Sequence, residues 1–182
     1  TYASKTVTVT DASGNASSLT LTTFVVDTTS PTAAITYDAV APFKNGDAAV
    51  TITATFNGPV LDSPVPTIAI AGSGIANVTS TNMTKVSTTV YTYSYAVPTG
   101  DGTGTVTVGT GTDAAGNIVT SVPTSGATFT VDNTAPTISA VTQVVTPSND
   151  TTPSYVFTTN EAGTITTNIT EGFSTSASAA NG

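Results

Sequence analysis

The side chains that could do chemistry in this sequence are oxygen ligands. The chain has 11 Asp and Glu residues against 3 Lys and Arg residues, and it contains neither His nor Cys. Thiolate and imidazole nucleophiles, and zinc sites built from them, are therefore excluded. Carboxylate, amide and carbonyl oxygens remain, and these are the ligands that hard cations such as Ca²⁺ prefer.

Paired carboxylates could also act as a general acid and a general base, but the sequence does not favour that role. Glu161 and Glu171 lie in what reads as half a domain, and the aspartates stand near Gly, Asn or Pro, as turn formers do. We therefore expect that the protein is not an enzyme.

The aspartates and asparagines belong to a two-part pattern that occurs twice. Asp11-Ala-Ser-Gly-Asn15 precedes Val26-Asp27, and Asp113-Ala-Ala-Gly-Asn117 precedes Val131-Asp132, with a Pro-Thr pair soon after each second part. Asp11 and Asp113 are 102 positions apart, whereas Pro31 and Pro136 are 105 apart. This period is the size of a small β-sandwich and predicts tandem repeats of one domain.

The elements that must position these residues are β-strands. Each Asp-x-x-Gly-Asn segment lies between Thr- and Val-rich runs, so we predict a hairpin turn in which Gly and Asn both adopt positive φ. Apolar and polar residues alternate throughout and no helical spacing is present, which predicts an all-β fold. The predicted strands are 5–10, 18–26, 33–37, 48–56, 67–71, 75–79, 90–97, 103–109, 127–131, 138–145, 154–159 and 163–170.

The Val-Asp linkers predict the domain boundaries, because the proline that follows ends a strand. Residues 1–27 read as the last strands of one domain, residues 28–132 as a complete domain, and residues 133–182 as the first strands of another. Strands with an open edge and an exposed apolar face are marginal in water. We expect either neighbouring repeats in a longer polypeptide, or the front of one chain and the back of the next, to complete the two partial domains.

The same residues carry a resemblance to a known family. Asp113 to Asn117 and the segment Phe129-Thr-Val-Asp-Asn-Thr-Ala-Pro-Thr137 resemble the ends of the immunoglobulin-like repeats found in very long bacterial and archaeal surface proteins and adhesins. Residues 50–60 and 91–108 are similar to the body of such a repeat, and residues 150–165 to the opening of another subtype. The resemblance implies tandem immunoglobulin-like β-sandwiches, one complete and one partial at each end, on the cell surface.

For function, the resemblance implies a structural, extracellular repeat segment that serves as a spacer in a fibre, a stalk or a surface layer (S-layer). An adhesin module that binds a glycan or another cell surface is the alternative. Tyr91, Tyr93 and Tyr95 alternate onto one face of a predicted strand, which is typical of a packing stripe more often than of a sugar platform.

The immunoglobulin-like fold also implies where the aspartates meet. Its B–C and F–G loops lie at the end where the first strand enters, so Asp27, Asp113 and Asn117 should form one cluster, with Asp62 or Asn57 as a further ligand. Members of the family often hold calcium at such junctions, and calcium is the expected cofactor. Asp132 should likewise meet the equivalents of Asp11 and Asn15 in a neighbouring chain or repeat. The alternative is that these residues are turn formers only.

The overall charge limits the partners. The formal net charge is −8, which argues against nucleic acid and anionic membranes because both require basic patches. No apolar run is long enough to insert into a membrane. The expected partners are copies of the same chain or neighbouring immunoglobulin-like repeats.

Overall fold

The chain is all-β in the computed structural model, which describes residues 2–153, 155–164 and 166. No helix occurs in this part of the chain. It therefore contains no helix long and apolar enough to span a membrane. The chain divides into two compact units, Thr1–Asn133 and Thr134–Gly182.

A β-sandwich of two four-stranded antiparallel sheets makes up most of the first unit. One sheet has the order β3-β4-β8-β7 and the other has the order β10-β9-β5-β6. The strands are β3 (Ala33–Tyr37), β4 (Val50–Phe56), β5 (Thr67–Ser73), β6 (Val78–Asn82), β7 (Thr84–Lys85), β8 (Val90–Tyr95), β9 (Gly102–Gly109) and β10 (Thr128–Val131).

Alternation along most of these strands builds the core between the two sheets. In β4, the apolar residues Val50, Ile52, Ala54 and Phe56 are buried, whereas the threonines between them are half-buried or exposed. The opposite sheet contributes residues in the same alternating way, among them Ile68, Ile70, Val106, Val108, Phe129 and Val131. Burial of this apolar surface is the main source of the sandwich's stability.

Phe129 lies at the centre of an aromatic cluster in this core. Its ring centroid is 5.2 Å from that of Tyr95, 5.3 Å from that of Phe43 and 5.6 Å from that of Tyr37. Gly104 faces the ring from β9, and a Cβ there would come within 2.3 Å of the Phe129 ring. The strand next to Phe129 therefore needs a residue without a side chain.

The tyrosine series on β8 packs into the core. Tyr91 and Tyr95 are buried, and Tyr93 is partly buried against the same cluster. The packing interpretation is therefore confirmed for Tyr91 and Tyr95. The Tyr91 hydroxyl lies 2.7 Å from Asp62 Oδ1 and 3.2 Å from Val60 O, whereas the buried Tyr95 hydroxyl has no hydrogen-bond partner among the described residues.

These two tyrosines give a matched pair of substitutions. We expect Tyr91→Phe to lower the free energy of unfolding by about 1–2 kcal/mol, because it removes a donor to a carboxylate. Tyr95→Phe removes a buried hydroxyl with no protein partner and should leave stability unchanged or raise it. Urea denaturation of both variants measures the difference, and equal losses would contradict the assignment.

Parallel contacts tie the end of the sandwich to its beginning. Isolated parallel bridges pair Ala34 with Ser125 and Phe43 with Val131. The N–H of Ile35 donates to Ser125 O at 3.0 Å, and the N–H of Thr124 donates to Ala33 O at 2.8 Å. The last segment of the domain is thus bonded directly beside its first strand.

A β-hairpin precedes the sandwich in the first unit. Strands β1 (Lys5–Thr10) and β2 (Ala16–Leu21) pair in the register Val7 with Leu19 and Thr8 with Ser18. Every residue in both strands is exposed, including the apolar ones. Beyond β2, Phe24 forms a bridge with Tyr2 and stacks on its ring at 4.7 Å.

In the described part of the second unit, β11 (Ile138–Thr142) and β12 (Val156–Thr159) form a further strand pair. They pair antiparallel, with Ile138 opposite Thr159 and a register shift between Ala140 and Thr142. Ile138 and Val156 are exposed.

Most predicted strands overlap the observed ones, but several differ in their bounds. The predicted strand 18–26 is instead β2, Ala16–Leu21, the predicted strand 75–79 is instead β6, Val78–Asn82, and the predicted strand 138–145 is instead β11, which ends at Thr142. The two-residue strand β7 was not predicted. The predicted strand 163–170 falls mainly outside the described residues. The hairpin and the sandwich belong to one compact unit, and the second unit begins at Thr134. The division of the chain into three domain pieces stays a prediction.

The turn prediction was right for glycine and wrong for asparagine. Gly14 and Gly116 have φ of 87° and 90°, but Thr110 is the only residue other than glycine with positive φ in the described chain. The asparagines of the two turns therefore serve another purpose, which their side-chain contacts make clear.

Candidate functional site

The turn from Asp113 to Asn117 is held together by its own first residue. Asp113 Oδ1 accepts the N–H groups of Ala115 at 2.8 Å and Asn117 at 2.9 Å, while Oδ2 accepts the Asn117 side-chain Nδ2 at 2.8 Å. Two backbone bonds close the turn, from Asp113 N to Asn117 O and from Gly116 N to Asp113 O. The side-chain amide of Asn117 is thereby fixed in orientation.

The turn from Asp11 to Asn15 has the same five hydrogen bonds. Asp11 Oδ1 accepts the N–H groups of Ser13 at 2.9 Å and Asn15 at 2.8 Å, and Oδ2 accepts Asn15 Nδ2 at 2.9 Å. The two closing backbone bonds are also present. The two halves of the sequence thus build one turn geometry twice.

These hydrogen bonds lower the pKa values of both turn carboxylates. The bond from the Asn117 side chain is the main cause of the low pKa of Asp113, and the bond from Asn15 is the main cause at Asp11. Both side chains are therefore anionic at neutral pH and act as acceptors. The hydrogen bonds within each turn therefore account for the presence of both carboxylates without a bound ligand, as expected if these residues are turn formers.

The linker before the sandwich passes beside the second of these turns. Asn117 Nδ2 donates to the backbone carbonyl of Asp27 at 3.2 Å. Asp27 Oδ1 accepts the N–H of Thr29 at 2.9 Å. Asp27, Asn57 and Asp113 line one cleft together with Thr29, Ser30, Pro31, Gly58 and Pro59.

Asp27, Asp113, Asn117 and Asn57 thus come together, but Asp62 does not line this cleft. The Asp62 carboxylate forms an ion pair with Lys85 and accepts the Tyr91 hydroxyl. The bond from Lys85 is the main cause of its lowered pKa. The structure therefore brings Asn57 rather than Asp62 to the cleft, and Asp62 as a metal ligand stays a prediction.

Asn57 has a contact that the sequence did not predict. Its Oδ1 accepts the N–H of Thr32 at 2.9 Å, and its own N–H donates to Thr32 O at 3.0 Å. In the second unit, Asn160 makes the same reciprocal pair with Thr137, at 2.6 Å and 3.3 Å. Both threonines directly follow a proline of the repeated pattern, and each asparagine directly follows the second strand after that proline, β4 or β12. This spacing was the available sequence signal.

The exit of the sandwich is fixed by Asn133. Its side-chain nitrogen donates to Gly100 O at 2.6 Å, its Oδ1 accepts the N–H of Asn45 at 2.6 Å, and its N–H donates to Asp101. The N–H of Asp132 donates to Phe43 O at 3.0 Å. The meeting of Asp132 with Asp11 and Asn15 involves a neighbouring chain or repeat and stays a prediction.

The cleft residues fit a cation in type but supply few charges. Asp27 and Asp113 are two carboxylates, Asn57 adds an amide, and Ca²⁺ prefers six to eight oxygens. Within the described residues, no group of three or more His, Cys, Asp or Glu side chains could hold a metal ion. Such a donor set suits a weak site completed by water.

No protein-family model matches the chain, and no curated protein matches it significantly.

Proposed function

We propose that this chain is a structural segment of tandem immunoglobulin-like repeats that acts as a spacer in an extracellular fibre, stalk or surface layer. The observation that carries the proposal is the repetition of local structure. The five-bond turn occurs at Asp11 and at Asp113, and the Thr–Asn pair occurs at Thr32 and at Thr137. A repeated connection is what a string of similar domains requires.

The exposed apolar residues of the hairpin support this reading. Thr-Val-Thr-Val occurs at 6–9 and at 105–108, and Phe-x-Val-Asp at 24–27 and at 129–132. Val106 and Phe129 are 0% and 4% exposed in the sandwich core, whereas Val7 and Phe24 are 52% and 58% exposed. The front segment therefore carries the core residues of a domain without the sheet that would cover them.

The cover is expected to come from a neighbouring repeat or from another copy of the chain. In the sandwich, the residues equivalent to Val7 and Phe24 face the sheet that contains β3 and β4. The pair β11–β12 follows Pro136 as β3–β4 follows Pro31. Head-to-tail contact between the back of one chain and the front of the next would not close on itself, and it therefore propagates as a fibre.

A glycan array tests this function against the adhesin alternative. A spacer should show no specific binding at micromolar concentration, whereas an adhesin module should bind a defined set of glycans. Purified protein should also show no hydrolase activity above buffer, since the proposal includes no catalytic role. Specific glycan binding or robust catalysis would contradict the spacer function.

Calcium remains a prediction within this proposal. Asp27 and Asp113 would hold the ion beside Asn57, and the ion would neutralise both carboxylates and add to the contact that Asn117 already makes with the linker. We expect the thermal midpoint to fall by several degrees when calcium is replaced by EDTA, because a ligand that binds only the folded state stabilises it.

Asp27→Asn is the appropriate variant for the calcium test. It keeps an oxygen that can accept the N–H of Thr29 and removes one charge, whereas Asp113→Ala would also remove three hydrogen bonds of the turn. The variant should lose the calcium response and keep the midpoint measured in EDTA. Identical wild-type midpoints in EDTA and in millimolar calcium would contradict the calcium site.

A further inference from the structure

We propose that the Asp-x-x-Gly-Asn turn is a latch for the linker of the preceding repeat, and that the side-chain amide of its asparagine closes the latch without a metal ion. The proposal rests on the tandem arrangement proposed above. It assigns the turn an interaction surface, and it names the partner as the backbone carbonyl of a Val-Asp linker.

The two hydrogens of one amide group account for the latch. A side-chain –NH₂ has two donor hydrogens. In Asn117, one hydrogen bonds Asp113 Oδ2 at 2.8 Å and the other bonds Asp27 O at 3.2 Å. The first bond fixes the amide in the turn, and the second reaches the linker, which is 90 positions earlier in the chain. Because the amide is oriented in advance, little further ordering is needed to hold the linker.

The first turn has the same construction. Asn15 Nδ2 donates to Asp11 Oδ2 at 2.9 Å, and its side chain makes no other hydrogen bond among the described residues. No Val-Asp linker precedes it within this sequence. The equivalent partner is the linker of a preceding repeat, of which Val131-Asp132 is this chain's own version.

The position of the amide explains why an ion is not required. The Asn117 nitrogen lies between a linker oxygen and a turn oxygen, and it binds both. A cation that joined the same two oxygens would have to displace this group. An aspartate at position 117 would instead place a second carboxylate against Asp113 Oδ2 and beside the carbonyl oxygen of Asp27, which is unfavourable unless a cation is bound.

Hydrogen–deuterium exchange of the full chain tests the latch, with the two asparagines as a matched pair. In EDTA, we expect Asn117→Ala to increase exchange in residues 27–32 by about 3- to 10-fold, as the loss of one net hydrogen bond predicts. Asn15→Ala should leave these residues unchanged, because it alters an identical turn that does not contact them. Equal exchange of residues 27–32 in the two variants would overturn the latch. The latch would also be overturned if residues 27–32 of the wild-type protein lost their protection in EDTA.

Asn117→Asp provides a second test with a different readout. In EDTA it should increase exchange in residues 27–32 at least as much as Asn117→Ala does, and millimolar Ca²⁺ should restore protection. If residues 27–32 of the Asn117→Asp variant were as protected in EDTA as those of the wild type, the proposal would be overturned. The glycan array and the catalytic assays judge the spacer function separately, so a failure of the latch can be told apart from a failure of that function.

Discussion

Phe129→Ala should lower the free energy of unfolding of the sandwich by about 3–5 kcal/mol. The phenylalanine ring is 4% exposed and contacts three other aromatic rings, and Gly104 has no side chain to fill the space that alanine would leave. For a domain of this size, the thermal midpoint should fall by well over about 10 °C. Calorimetry or urea denaturation measures the loss.

Phe24→Ala is the matched control, because Phe24 occupies the equivalent position of the repeated sequence. Its ring contacts only Tyr2 among the aromatic residues of the described chain. Its removal should change the stability of the sandwich by less than about 0.5 kcal/mol. A loss at Phe24 that equals the loss at Phe129 would show that the hairpin is already packed as part of a core.

The second large effect concerns self-association through the apolar face of the hairpin. If another copy covers this face, the double variant Val7→Thr with Val9→Thr should weaken association by on the order of 100-fold. Threonine keeps the shape and the strand preference of valine, but burial of its hydroxyl is unfavourable. Sedimentation velocity over a series of concentrations measures the association constant.

The opposite face of the same strand provides the control for association. Thr6 and Thr8 lie on it, and their hydroxyls contact Thr20 and Ser18 across the hairpin. Thr6→Ser with Thr8→Ser should leave association unchanged. If the double valine variant associated as strongly as the wild type, head-to-tail assembly would be contradicted. Neighbouring repeats of one polypeptide would then be favoured as the partners that cover the apolar face of the hairpin.

The sequence predicted the strands well because short-range alternation decides them. Strand β4 buries every second residue, and a pattern of period 2 is visible without any tertiary information. The meeting of Asp27, Asp113 and Asn117 was predicted differently, from the loop arrangement that the resemblance to immunoglobulin-like repeats implies. The immunoglobulin-like identity and the tandem arrangement stay predictions.

Other features could not be predicted because they depend on individual long-range contacts. Asp62 pairs with Lys85, which lies 23 positions later in the chain on β7. This strand has two residues, which is too short for an alternating pattern to reveal it. Thr110 lies between Gly109 and Gly111 and has positive φ. Its Oγ1 donates to Val65 O at 2.7 Å. A β-branched residue is rare in that conformation, and no propensity favours it there.

The parallel contacts between the last and first segments of the sandwich determine how the domain would respond to mechanical tension. In the proposed fibre, the chain would be pulled at the entry near Pro31 and at the exit near Asp132. Because the pairings of Ala34 with Ser125 and of Phe43 with Val131 are parallel, tension at these two points would load the bonds of Ile35, Phe43 and Thr124 in shear, and they would have to break together. The front hairpin is different, because its chain enters and leaves at the same end, beside Lys5 and Leu21, and its bonds unzip one pair at a time. Since forced unfolding follows the unfolding rate rather than the equilibrium stability, a domain closed in this way bears load out of proportion to its free energy of unfolding.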